Sequence, residues 1–341
     1  MRKYLLPIFA LLVCLIFTAC GQQQGQGHEH EQSNTDPGIV NDKKDTLSQK
    51  QDELYQAIEN YNKAVTEHNQ KVKQLNEGLS NILDLRGLLE TAIGTADNLL
   101  NGSDLPFDTN LKTELSEARE ESATCISVIP DLLDYVDELP ESDFSPENDN
   151  AEFLNELEVK AENLSKIVIP EVPESAGIRS IYDRLSALIV EYEDSCKALK
   201  QVIVPEDSFV ISKLKIIDTV TNIEAVTEEH DPNGLLGTEG GYVGCIYFAD
   251  SRVDKEQIFI QPGKNNVIDI GTVGGGSIEI YQTPEEVEVR CEYLNSFKGS
   301  NVKIGSYKTI GTIIVRVSYL LTEVQQEELI NQVIFNLTTL E

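Results

Sequence analysis

Tryptophan is absent from the 341 residues, methionine occurs once, and only four histidines are present. Basic residues are scarce as well: 27 Lys and Arg stand against 58 Asp and Glu, for a net charge of −31. That shortage removes the Lys and Arg clusters that phosphate contacts need and argues against nucleic acid as a partner. It also means that an anionic bilayer surface repels the body of the protein. No Gly-x-Ser-x-Gly elbow occurs, and Gly274-Gly275-Gly276 is completed neither by Gly-Lys-Ser nor by a following helix. The signatures of a hydrolase nucleophile and of a phosphate cradle are therefore missing, and the glycine run reads as a turn or bulge before a strand.

What is present begins at the amino terminus. Met1-Arg2-Lys3 is a short positive region, and Leu5 to Phe17 is an apolar run too short and too early to span a bilayer. The run closes on Phe17-Thr18-Ala19-Cys20, small residues leading into a cysteine. This ending resembles the lipobox of bacterial lipoproteins. The resemblance implies a signal peptide over 1–19 that is removed, a diacylglyceryl group on Cys20, and a bacterial membrane or envelope location outside the cytosol. The membrane partner is then reached through lipid rather than through basic side chains.

Residues 20–45 are rich in Gly, Gln, Asn and Asp and nearly devoid of apolar groups, the composition of a disordered tether. Within it His28-Glu29-His30-Glu31 offers metal-ligand chemistry, but a flexible chain preforms no cage, and a solvated tether is the expectation.

From Leu54 the apolar residues step in alternating fours and threes through Ile58, Tyr61, Val65, Val72, Leu75, Leu79, Ile82, Leu89, Ile93, Ala96 and Leu100. Only His68 and Arg86 stand out of character in this heptad seam, which predicts one long coiled-coil-like helix stopped by Asn101-Gly102 as a left-handed cap. Gly78, Gly87 and Gly94 predict a kink in its second half. The same spacing predicts a second helix over 110–139 bent at Pro130, a third over 151–167, and a fourth over 175–203. Four amphipathic helices with short loops predict an antiparallel bundle over 46–204, and the seam from Leu54 to Leu75 predicts either self-association or burial against the other helices. Residues 101–168 carry 18 Asp and Glu against 4 Lys and Arg, which reads as a solvated helical face.

After Pro205 the period shortens to two. Strands are predicted over 214–227, 242–248, 258–260, 277–282 and 308–318. Two helices interrupt them, each announced by a capping box, Thr283-Pro284-Glu285-Glu286 and Thr322-Glu323-Val324-Gln325. Residues 211–341 thus read as a small α+β domain, an antiparallel sheet with two helices on one face.

Four cysteines remain after Cys14 and Cys20. In an exported chain they suggest disulfides, and Cys125 with Cys196 and Cys245 with Cys291 are the pairings that stay within one domain, buried thiols being the alternative. Glu229, Asp231 and Asn233 with Gly234 echo a calcium loop, yet Gly240 stands where the closing glutamate belongs, so an Asp-Pro-Asn-Gly turn is the simpler reading. Arg316 sits in an apolar strand and needs a carboxylate or a ligand anion; Glu288 and Glu292 are the candidates. An enzyme, with or without a cation, would have to centre on Glu229, His230 and Asp231. Long heptads disfavour a two-lobed solute-binding protein. The sequence favours a non-catalytic scaffold or recognition module for an envelope partner or ligand, with no cofactor and no resident metal expected.

Overall fold

The computed structural model describes residues 37–140, 151–260, 262–263, 266–297, 299 and 301–340, with backbone alone for 37–43 and 45. Cys20 and the His28-Glu29-His30-Glu31 stretch lie outside the described residues. The chain is α plus β: among the described residues it has eight α-helices and one five-stranded antiparallel sheet. It divides into two compact units, one comprising the chain up to Thr66 with Asp137–Lys166, the other Glu67–Val136 with Ile167–Glu341.

Helix α1 (Pro37–Asn101) runs through both units and begins inside the stretch whose composition suggested a tether. In the first unit its Leu54, Ile58, Tyr61 and Val65 are buried, as is Leu157 of α3 (Ala151–Lys166). The carboxamide of Asn62 donates to the Leu139 carbonyl at 2.8 Å and accepts from the Leu139 N–H at 2.8 Å.

In the second unit the α1 seam continues through His68, Val72, Leu75, Leu79 and Ile82, then Leu85, Leu89, Ala92 and Ala96. Two successive steps of three, Leu79 to Ile82 to Leu85, move the seam by one position, the three-residue slip known from coiled coils. Arg86, expected on the seam, therefore turns outward and pairs with Asp131 at 2.8 Å and Glu90 at 3.2 Å. The helix stops at Asn101, but Gly102 is not left-handed. Helices α2 (Asn110–Ser127) and α4 (Ser175–Lys200) pack against this part of α1 through Leu111, Leu115, Ala118, Leu185, Leu188 and Tyr192.

The second predicted helix does not reach residue 139. It ends at Ser127, because Pro130 lacks an amide donor and biases Ile129 away from the helical region. Residues 130–140 are instead irregular and extended, and their partly buried positions past Pro130 are Leu133, Val136 and Leu139, a period of three. Two of these belong to the second unit: Asn76 exchanges bonds with Leu133 at 2.8 and 3.0 Å, and Asn69 with Val136 at 2.7 and 2.9 Å.

After α5 (Asp207–Leu214) come β1 (Val220–Ala225), β2 (Gly244–Asp250), α6 (Val267–Ile270), β3 (Gly275–Ile280), α7 (Pro284–Asn295), β4 (Tyr307–Ile310), β5 (Ile313–Val317) and α8 (Glu323–Thr338). The sheet order is β1-β2-β3-β5-β4. The segment 258–260 is not a strand, and 308–318 is a hairpin rather than one strand. Its turn residue Gly311 has φ +55°, and a Cβ there would stand 2.4 Å from the Val202 carbonyl oxygen, so the turn tucks directly under the end of α4. Both capping boxes form, Thr283 with Glu286 and Thr322 with Gln325. The two helices they start lie on opposite faces, not on one. Ile246, Phe248, Ile278, Ile313 and Val315 face α8, while Cys245, Tyr247 and Ile314 face α7.

Candidate functional site

The α7 face of the sheet carries the chain's densest polar chemistry on otherwise apolar strands. Strand register sets it out in rows. Tyr247, Ser277, Arg316 and Tyr307 stand opposite one another across β2, β3, β5 and β4, and the next row holds Cys245, Glu279, Ile314 and Thr309. Alternation along each strand sends both rows to the same side.

Glu279 is the hub. Its side chain is fully buried, and its carboxylate accepts from Arg290 Nε at 2.8 Å, Arg290 Nη2 at 3.0 Å, Arg316 Nη1 at 2.6 Å and the Tyr281 hydroxyl at 2.9 Å. Burial pushes this carboxyl upward, but the two guanidinium groups outweigh burial and hold it below the ordinary range. Arg316 thus finds an internal carboxylate, but not the one expected. Glu288 and Glu292 are exposed on α7, whereas Glu279 lies diagonally across from Arg316 on the adjoining strand. The capped start of α7 orients Arg290, the third member, which the sequence reading missed; its signal was a glutamate in mid-strand with no partner on its own strand.

The loop ahead of β2 is a turn built on Asp231. One carboxylate oxygen accepts the Leu235 and Leu236 amides at 2.6 and 2.8 Å; the other accepts the Asn233 amide at 3.0 Å and the Tyr242 hydroxyl. Burial works to raise Asp231, and these donors together lower it below its usual value. Asn233 turns its Nδ2 onto the Tyr247 hydroxyl at 2.9 Å, and Glu229 is exposed. The three residues suggested for a cation do not converge, and among the described residues no group of three or more His, Cys, Asp or Glu could hold a metal ion. His230 points elsewhere again: Nε2 lies 3.0 Å from Asp269 Oδ1 and Nδ1 lies 3.4 Å from Asn266 Nδ2. With both ring nitrogens occupied, His230 ties the loop to α6.

All four cysteines in the described residues are free thiols. Cys125 and Cys196 do not meet. Ser195 bonds Phe107 and Asp108 at the foot of α2, while Cys125 stands 15 residues beyond Asn110, a rise of about 22 Å against the 4–7 Å between bridged Cα atoms. Cys245 and Cys291 share one apolar cluster on the α7 face without bonding. Burial raises the pKa of each of the four, most of all Cys245, so none is an activated nucleophile. Tyr242, Tyr247 and Tyr281 are likewise pushed up by burial. A separate cavity of about 360 Å³ lies between residues 105–112, Leu199 and the β4–β5 turn; Lys112 is its one titratable lining residue. The α7 face presents fixed guanidinium and hydroxyl groups, and its two thiols are held protonated by burial. No protein-family model, no curated protein and no solved structure matches this chain.

Proposed function

We propose that the protein is a lipid-anchored, extracytoplasmic envelope protein of a bacterium that acts by recognition rather than turnover. The observation that carries the reading is the run Phe17-Thr18-Ala19-Cys20 behind a positive start and an apolar stretch. Acylated Cys20 is the membrane anchor, and the Gln- and Gly-rich residues after it form a tether. Among the described residues no helix is long and apolar enough to cross a membrane. In the second unit α2 and α4 make an antiparallel bundle on the second half of α1, and the heptad seam of α1 is buried within the chain rather than left open for self-association. The α+β domain is the recognition module. Its support is the pair of fixed guanidinium groups, Arg290 and Arg316, held at low exposure on the α7 face of the sheet.

Expression of the full chain and of Cys20→Ser in a bacterium, followed by fractionation, tests the anchor. The unsubstituted protein goes to the membrane fraction and takes up labelled palmitate, and Cys20→Ser does neither. Equal fractionation of the two would remove the proposal.

A further inference from the structure

The charges around Glu279 do not balance. One carboxylate meets two guanidinium groups, and the side chains of Glu279, Arg290 and Arg316 are only 0 %, 15 % and 14 % exposed. Among the described residues neither arginine pairs with a second carboxylate. A residual positive charge is therefore held at low exposure in a chain whose net charge is −31.

The donors are also used unequally. Arg290 clamps Glu279 with Nε and Nη2, the two N–H groups on one edge of the guanidinium plane. Arg316 gives Glu279 only Nη1, and among the described residues its own Nε and Nη2 edge has no protein acceptor. Every fully buried side-chain nitrogen and oxygen of the described residues has a partner, so this free edge reaches solvent and is not sealed in the core. The bond through Nη1 fixes the plane in which the edge lies. The neighbours are already engaged, Ser277 with Thr272 at 3.0 Å and Tyr307 with Asn295 at 2.7 Å, which leaves Arg316 as the group with capacity.

A guanidinium edge with two parallel N–H groups matches a carboxylate in shape, and one carboxylate cancels the one unbalanced charge. We infer that Arg316 anchors a binding site for a carboxylate-bearing ligand on the α7 face of the sheet. The inference deepens the recognition reading by naming its ligand chemistry, and it does not depend on the lipid. Ligand carboxylate bridges Nε and Nη2 of Arg316 while Glu279 holds the opposite side of the same group. Arg290 stays closed on Glu279 and acts as the brace.

The test is a titration of the full-length protein in detergent, labelled with nitrogen-15 at arginine, with acetate and with the carboxyl terminus of a short uncharged peptide. Ionic strength is held constant with chloride. One Nε–H resonance, missing in Arg316→Lys, moves saturably with carboxylate and not with chloride; the tighter of the two probes tells whether a small acid or a chain end is the better ligand. Arg316→Lys keeps a cation against Glu279 but has no two-pronged edge, and binding, followed in both proteins by the Nε–H resonance of Arg290, weakens roughly tenfold or more. No saturable movement with either probe overturns the inference, as does equal affinity in Arg316→Lys with its circular dichroism unchanged. Acylation at Cys20 is read separately, so a failure here leaves the anchor standing.

Discussion

Asn69 and Val136 are bonded as two facing strand residues would be, although one lies on a helix: the Asn69 carboxamide donates to the Val136 carbonyl at 2.7 Å and accepts its N–H at 2.9 Å. Asn62 with Leu139 and Asn76 with Leu133 repeat the arrangement at steps of seven along α1 and three along the extended segment. The arithmetic makes this possible. Seven helical residues rise about 10.5 Å, and three extended residues cover about 9–10 Å, so the two repeats stay in phase.

Replacing Asn69 removes two bonds to a half-exposed peptide unit, where water substitutes in part. Asn69→Ala costs about 1–2 kcal/mol in a denaturant titration and exposes the Val136 amide to hydrogen exchange. Asn69→Asp keeps the acceptor, loses the donor and falls between. Unchanged exchange at Val136 in Asn69→Ala would show that the rung does not hold the segment.

Glu279→Gln strands two buried guanidinium groups and costs about 3–5 kcal/mol at neutral pH. The pH dependence follows from the direction of the shift. The folded carboxyl lies below its unfolded value of about 4.3, so its contribution is complete above that value and is lost as pH falls through the folded one. The stability gap between the native chain and Glu279→Gln is therefore flat from neutral pH down to about pH 5 and narrows in stronger acid. A gap that widens on acidification would contradict the role given to Glu279.

Asp231 spends both carboxylate oxygens on the turn. Asp231→Ala leaves three backbone donors and the Tyr242 hydroxyl without their acceptor, and the cost is about 2–4 kcal/mol. Millimolar calcium leaves the thermal midpoint of the native chain unchanged, since a cation would have to displace those donors. A calcium-dependent rise in Tm that Asp231→Ala abolishes would restore the cation reading.

The thiols separate by burial. Cys125 and Cys291 are partly exposed and react first with a maleimide in the folded protein, while Cys196 and Cys245 react on unfolding. Reductant leaves Tm unchanged. Recovery of a Cys125–Cys196 linked peptide from native protein would contradict the fold of the helical region.

Much of this architecture was legible in the sequence where one local rule acted alone. The two Thr-initiated capping boxes and the first half of the α1 seam needed only neighbours within one helix. The segment after Ser127 misled because Ile129, Leu132, Val136 and Leu139 satisfy helical steps of three and four. Its true period of three shows instead in the repeat Asp131, Asp134, Asp137 and in the heptad of Asn62, Asn69 and Asn76, polar signals that an apolar pattern overlooks. The partner of Arg316 was hidden for another reason: strand register, which puts Glu279 beside it, is a long-range property. The sides taken by α7 and α8 depend on the same register.

Acylation of Cys20 is tested most directly by the mass of the mature amino terminus. Purified from a bacterial membrane and digested, the protein yields a first peptide that begins at Cys20 and carries a diacylglyceryl mass. A mature chain that begins elsewhere, or begins at Cys20 with an unmodified thiol, would contradict the reading.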